Sequence, residues 1–321
     1  MKGSHYGERS LLADVIPLDA PYSLICETSQ VCNIKCNYCM QSFIKRDHRQ
    51  IMSLSTFGEL CEQIGEFGKI KKVNLAGWGE PLVNKELPNM VQHLSQMNIV
   101  ENIDIVTNGL LLTRILSEKL ISAGTDYIRI SLQGMTSEKY EEICGKKIDF
   151  QDFVDNIRFL YENKGDCQIY VKICDIALSP GEEELFYKTF EDITDRMLIE
   201  TIRPMFQENK QDGRTVSKFG IDHPPVMVCP TPFYMLDILA TGEITACCSY
   251  YRPNCLGTIY NASLKNVWNG EEMQKLRMML LDGNRQEQSE YPVCKNCLMA
   301  DAILTPGDFL DDRADEIRRK F

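Results

Sequence analysis

Cys32, Cys36 and Cys39 put three thiols within eight residues, directly after an apolar run that reads as a strand, Tyr22–Ser29. A loop with this C-x3-C-x2-C array can wrap one small inorganic centre. A four-iron cubane held by three cysteines keeps one iron without a protein ligand, and an open coordination position is where a metal centre does chemistry. The spacing alone also allows a zinc site with a distant fourth ligand, or cysteines used for packing.

The rest of the chain narrows the setting. Fourteen of its 321 residues are cysteine. The opening residues lack a secretory apolar core, since the run around Leu11 is broken by Asp14 and Pro17. No stretch approaches the roughly 18–20 apolar residues of a membrane span. The expectation is a cytoplasmic protein with no membrane partner, whose clustered cysteines serve metal or catalysis rather than disulfides. A net charge of −11 without a dense Lys/Arg block argues against nucleic acid as a partner.

Six strand-like runs alternate with helical patterns: Tyr22–Ser29, Lys71–Gly79, Asn102–Gly109, Tyr127–Gly134, Gln168–Leu178 and Met197–Met205. Leu54, Phe57, Leu60, Cys61 and Ile64 share one helical face, as do Phe153, Ile157, Leu160 and Tyr161. Gly68, Gly124 and Gly165 suit helix C-termini. Alternation of this kind implies an α/β fold with a parallel sheet, and six units are too few to close an eight-stranded barrel. The expectation is a partial (β/α)6 barrel over residues 22–206, after a lead-in of residues 1–21, with its functional groups beyond the carboxyl ends of the strands. A polar linker follows at 207–225. Residues 226–306 hold Cys229, Cys247, Cys248, Cys255, Cys294 and Cys297 and read as a small metal-stapled domain. The charged tail, 307–321, reads as a solvated helix or a disordered segment.

Several strand ends carry further motifs. Tyr38 gives the first array the form C-x3-C-x-aromatic-C. The second strand ends in Gly77-Trp78-Gly79-Glu80-Pro81, the third in Thr107-Asn108-Gly109, and the fourth runs Ile128-Arg129-Ile130-Ser131-Leu132-Gln133-Gly134. On these residues the chain resembles the radical S-adenosylmethionine (SAM) superfamily. Trp78 stands for the first Gly of that family's G-G-E-P motif, and Gln133 for the common Asp of I-S-L-D-G. The resemblance implies a [4Fe–4S] cluster on Cys32, Cys36 and Cys39 whose open iron binds SAM. It places Tyr38 against the adenine and Gly79 and Glu80 at the amino group, with Asn108 and Ser131 as further cofactor contacts. It also implies a flavodoxin or ferredoxin reductant, SAM cleavage, and hydrogen-atom abstraction by a 5′-deoxyadenosyl radical.

The later cysteines form C-x12-G-x4-C from Cys229 through Gly242 to Cys247, then C-x2-C at Cys294 and Cys297. By themselves they also suit a four-thiolate zinc site. The pattern resembles the SPASM/twitch extension of radical SAM enzymes, as do Leu256-Gly257-Thr258-Ile259 and Leu264–Arg277 between the pairs. That resemblance implies one auxiliary [4Fe–4S] cluster on Cys229, Cys247, Cys294 and Cys297, because no cysteine follows Cys297. It extends to dehydrogenases of the deoxy-scyllo-inosamine type. The implied function is oxidation or epimerisation of a sugar- or cyclitol-like small molecule. Modification of a ribosomally made peptide is the alternative, and a zinc-stapled, non-enzymatic binding protein the remote one. Cys248 is a candidate hydrogen-atom donor, with ordinary packing its plainer reading. Cys144 has no role on this reading.

Overall fold

The computed structural model describes residues 10–43, 49–203, 216–249, 255–283 and 292–321. Contacts divide the chain into two units. One is built on Ile25–Glu200 with Leu239–Thr241, the other on Tyr6–Leu24, Thr201–Ile238 and Gly242–Phe321.

The first unit carries the strands β2 (Ile70–Leu75), β3 (Val100–Thr107), β4 (Tyr127–Leu132), β5 (Gln168–Cys174) and β6 (Arg196–Glu200), and the end of β1 (Ser23–Cys26). They stand side by side in the order β6-β5-β4-β3-β2-β1, and the pairs from β2 to β6 are all parallel. Each overlaps a run expected from the sequence. Helices Leu54–Gly65, Leu87–Met97, Arg114–Ser122, Phe150–Glu162 and Glu182–Phe190 alternate with the strands, making the open parallel sheet of a partial barrel. Ser53, Thr113, Thr136 and Asp149 cap helices by accepting from backbone N–H groups in the first turn.

Parallel sheets normally bury apolar residues on both faces. Here the faces differ. Val73, Leu75, Ile103, Ile105, Ile128, Ile130, Ile169 and Val171 make one buried apolar row. The alternate positions hold Lys72, Asp104, Arg129, Tyr170, Lys172 and Glu200, in registers that pair neighbouring strands. Asp104, fully buried, accepts both Lys72 at 2.9 Å and Arg129 at 2.7 Å. Arg129 lies over the rings of Tyr127 and Tyr170. Lys172 reaches Glu200 at 2.9 Å. One face of the sheet is thus apolar and buried, and the other carries paired charges and aromatic rings.

The second unit pairs β7 (Met235–Ile238), β8 (Glu243–Thr245) and β9 (Gly257–Thr258) antiparallel, with helices Leu264–Asn269, Glu271–Leu281 and Met299–Ile303. Trp268 is fully buried and donates its indole N–H to Leu18 O at 2.9 Å. Leu12 and Ile16 of the lead-in, and Leu310 and Ile317 of the charged tail, are buried as well. Arg313 pairs with Asp14. The described part of the lead-in, from Ser10, and the tail thus belong to the second unit, where burial of these apolar side chains holds them. Residues 207–215 of the expected linker, Met205 of the sixth run and residues 1–9 lie outside the described residues. Among the described residues no helix is long and apolar enough to cross a membrane.

Candidate active site

The loop after β1 carries Cys32, Cys36 and Cys39, and its shape is set by three anchors. Lys35 and Asn37 donate backbone N–H groups to the carbonyls of Cys144 and Ile143, at 3.3 and 2.8 Å. Those carbonyls end the helix Ser137–Cys144, where a helix leaves acceptors unsatisfied. Gln133, at the end of β4, accepts from Tyr38 Oη at 2.5 Å and Cys36 Sγ at 3.2 Å, and donates to Ser131 O at 3.1 Å. Asn108, at the end of β3, donates to Asn33 Oδ1 at 2.8 Å and to Cys32 Sγ at 3.9 Å. Burial raises the thiols of Cys32, Cys36 and Cys39, and the charges of Glu80 and Cys39 add to the rise at Cys32.

The Gly77–Pro81 turn packs directly on this loop. A Cβ on Gly79 would stand 1.9 Å from Ser29 O, so only glycine permits the approach. The contact lets Glu80 N–H donate to Val31 O at 2.9 Å, one residue before Cys32. Beneath the turn, fully buried Glu27 accepts from Trp78 N–H at 3.1 Å and Gln30 Nε2 at 3.0 Å. Trp78 therefore takes the first glycine's place with its backbone held.

Glu80 is 2% exposed. Its carboxylate accepts from Thr107 Oγ1 at 2.5 Å, Asn108 N–H at 2.7 Å and Leu82 N–H at 3.0 Å. Burial lifts it to about 7, against the pull of those three donors. The folded chain then holds a proton on Glu80 that the unfolded chain releases near 4.5, so this contribution to stability is whole below about pH 4.5 and lost as pH rises through 7. Glu80→Gln is expected to flatten that fall, on the order of 3 kcal/mol, in urea midpoints compared at pH 5 and pH 7.5. Equal slopes in the two proteins would refute it.

Tyr38, Gly79, Glu80, Asn108 and the three cysteines thus share one end of the sheet, where β2, β3 and β4 finish. Ser131 sits on the inner face of β4, in register with Lys172 of β5. Glu27, Gln133 and the carbonyls of Ile143 and Cys144 complete the site and were not assigned roles from the sequence.

In the second unit, Cys229, Cys247, Cys294 and Cys297 line one pocket of about 470 Å³, open solvent at its mouth included. Cys248 lines it too. Met227 and Val228 N–H groups both donate to Asp311 at 2.8 Å, and Val226 N–H to Asp301 at 2.9 Å, which shapes the approach to Cys229. Met299 N–H donates to Cys297 Sγ at 3.4 Å. Burial pushes Cys248 up to about 12, and Cys247 is raised by the same cause.

Residues 26–184 match the profile of the radical SAM superfamily, and residues 229–298 that of an iron–sulfur cluster-binding SPASM domain. The chain belongs to the radical SAM superfamily. The zinc-stapled, non-enzymatic reading falls with this match, because it required the motifs to be coincidental.

Among curated relatives, a probable GTP 3′,8-cyclase of Methanococcus vannielii is 35% identical over 118 residues, 37% of this chain and 38% of that protein. The GTP 3′,8-cyclase of Alkaliphilus oremlandii is 34% identical over 117 residues, 36% of each chain. The match therefore spans under two fifths of the length of these relatives. Solved structures resemble the chain more widely. BtrN in complex with AdoMet and 2-DOIA has a TM-score of 0.59 at 19% identity, over 87% of this chain and 93% of that one. Streptococcus suis SuiB bound to S-adenosylmethionine has 0.66 at 16%, over 92% and 79%. At such identities the likeness is one of fold.

A radical SAM domain with a SPASM domain implies a SAM-binding [4Fe–4S] cluster and auxiliary iron–sulfur ligation. The residues fit both. Each site offers soft thiolate donors, and each has an N–H group on a cysteine sulfur, the outer contact that tunes such clusters. Among the described residues no three His, Cys, Asp or Glu side chains converge as the ligands of a single metal ion would. A cubane spreads its cysteines over separate irons, so it needs no such convergence.

Gly79→Ala tests the first site's geometry. The added carbon must displace the Gly77–Pro81 turn from Ser29, so SAM affinity is expected to fall at least about tenfold, an interaction loss of about 1.4 kcal/mol. Equilibrium binding of SAM to the anaerobic protein reads this directly, and unchanged affinity would show that the turn can shift without cost.

Proposed function

We propose that this chain cleaves SAM reductively and removes a hydrogen atom from a sugar- or cyclitol-like small molecule, oxidising or epimerising it. The observation that carries the reading is the polar inner face of the sheet. Ser131, Lys172 and Glu200 stand there beside the carboxyl ends of the strands, and the Asp104 pairs lie behind them. Such a wall offers charged and hydroxyl partners to a polyol or amino-polyol rather than an apolar slot. The fold is shared with BtrN, a structure holding AdoMet and 2-DOIA, which is the precedent for a substrate of this kind. The cyclase match is too short to include both cysteine sites, so it carries no argument on the substrate.

When bound, the first cluster with SAM supplies the radical that takes the hydrogen atom, and an auxiliary cluster supplies a one-electron acceptor. The chain's residues bind and orient. Tyr38 offers its ring to the adenine while Gln133 fixes its hydroxyl. Glu80 acts as a positioning residue: with both oxygens engaged, it locks the ends of β2 and β3 so that Gly79 and Asn108 meet SAM in a fixed frame. Lys172, held by Glu200, and Ser131 face the substrate side.

The test is turnover in heavy water by reconstituted protein with a flavodoxin or ferredoxin reductant, on a panel of cyclitols and amino sugars. A ketone without solvent label identifies oxidation, and a solvent-labelled inverted carbon identifies epimerisation. SAM cleavage with no product from any member of the panel, but with modification of short peptides, would replace this reading by a peptide-modifying one. SuiB, solved with its precursor peptide SuiA, gives that outcome a structural precedent.

A further inference from the structure

Five thiols line the pocket of the second unit, although a single cubane takes four. Cys247 and Cys248 are adjacent in the chain. In an extended strand, neighbouring side chains point to opposite faces, and only one of the two could enter. The chain does not stay extended here. β8 ends at Thr245, whose hydroxyl lies 3.1 Å from the carbonyl of Cys247, two residues on. This local bend is of the kind Ser and Thr hydroxyls make against their own backbone. Both residues therefore line the same space, with Cys229, Cys294 and Cys297 around them.

From this juxtaposition we infer that Cys247 and Cys248 are interchangeable ligands, so that the auxiliary cluster has one position that either thiolate can fill. The inference rests on the SPASM assignment and goes beyond it. The family pattern selects Cys247 alone, because Cys247 stands five residues after Gly242. Exchange balances without electron transfer. The iron–sulfur bond to one cysteine breaks, the bond to the other forms, and the incoming thiol's proton passes to the outgoing thiolate. In either state the pocket keeps one uncommitted thiol beside the cluster.

The experiment uses the full chain, reconstituted anaerobically with iron and sulfide, and reads iron content and the reduced protein's electron paramagnetic resonance spectrum. Wild type should hold about eight irons, two four-iron clusters. Cys247→Ala and Cys248→Ala should each keep about eight, with a shifted auxiliary signal in Cys247→Ala. The double variant should hold about four. Should the double alanine chain fail to fold, the double serine variant and the Cys247→Ser spectrum carry the same reading. Loss of four irons from Cys247→Ala alone, or from Cys248→Ala alone, would overturn exchange by assigning one fixed ligand. Retention of eight by the double variant would overturn it by excluding both. A wild type holding only four irons would sink the auxiliary cluster itself, a failure distinct from these.

Discussion

Replacing Cys36 with alanine is expected to take the chain from about eight irons to about four and to abolish formation of 5′-deoxyadenosine from SAM. Cys36 is buried in the first loop, between Cys32 and Cys39, with Gln133 against its sulfur. A neighbouring thiol is present: Cys144 lies within electrostatic reach of Cys36. It is unsuited to stand in. Its Sγ donates to Tyr140 O at 3.0 Å, and its own carbonyl anchors the loop through Lys35. Swinging its sulfur toward the cluster would break the bond to Tyr140. Iron analysis and chromatography of the nucleoside product check the result, and a variant that still cleaved SAM would show that Cys144 substitutes after all.

The second large effect is on stability. Arg277 is 3% exposed. It donates Nε to Pro232 O and Nη1 to Trp268 O, each at 3.0 Å, and lies 4.1 Å over the Trp268 ring. Burial lowers its guanidinium to about 10. Arg277→Ala leaves two buried carbonyls without donors and a void beneath the indole. The expected cost is about 3–5 kcal/mol. Arg277→Met fills the void without burying a charge, so about half that cost is expected. Urea midpoints of the three proteins order the effects, and equal losses in the two variants would show that hydrogen bonds rather than volume dominate. Pro232 also lines the second cysteine pocket, so Arg277→Ala should lose auxiliary iron more readily than Arg277→Met.

The strands were legible because their signal is local. Runs of Ile, Val and Leu between turn residues need no distant partner to be recognised, and all six reappear with shifts of a few residues at their ends. The cysteine sites were legible because spacing is itself a record of geometry. What escaped was long-range. Glu27 reads as one polar residue in a strand, yet it is fully buried and holds the turn of Trp78 from 51 residues away. Cys144 counts as a site residue through its backbone, which side-chain chemistry cannot reveal. The tail looked solvated because its charges outnumber its apolar residues, yet Leu310 and Ile317 are buried and Asp311 and Arg313 bond to distant segments. The bend after Thr245, beside which Cys248 lines the pocket, is closed by a hydroxyl bond to the Cys247 carbonyl that no spacing reveals.

Asp311 holds Met227 and Val228 across 84 and 83 residues of chain. During synthesis the two cysteine sites therefore ripen at different times. The loop of Cys32 to Cys39 finds its anchors once Cys144 has been made. The approach to Cys229 cannot take its shape until Asp311 has also left the ribosome, on the order of ten to thirty seconds later at ordinary elongation rates. In that interval the first loop has its anchors while the second set of thiols is still open to wrong metals and oxidants. Cluster delivery to this protein is accordingly a two-stage problem, and the later stage is the more exposed one.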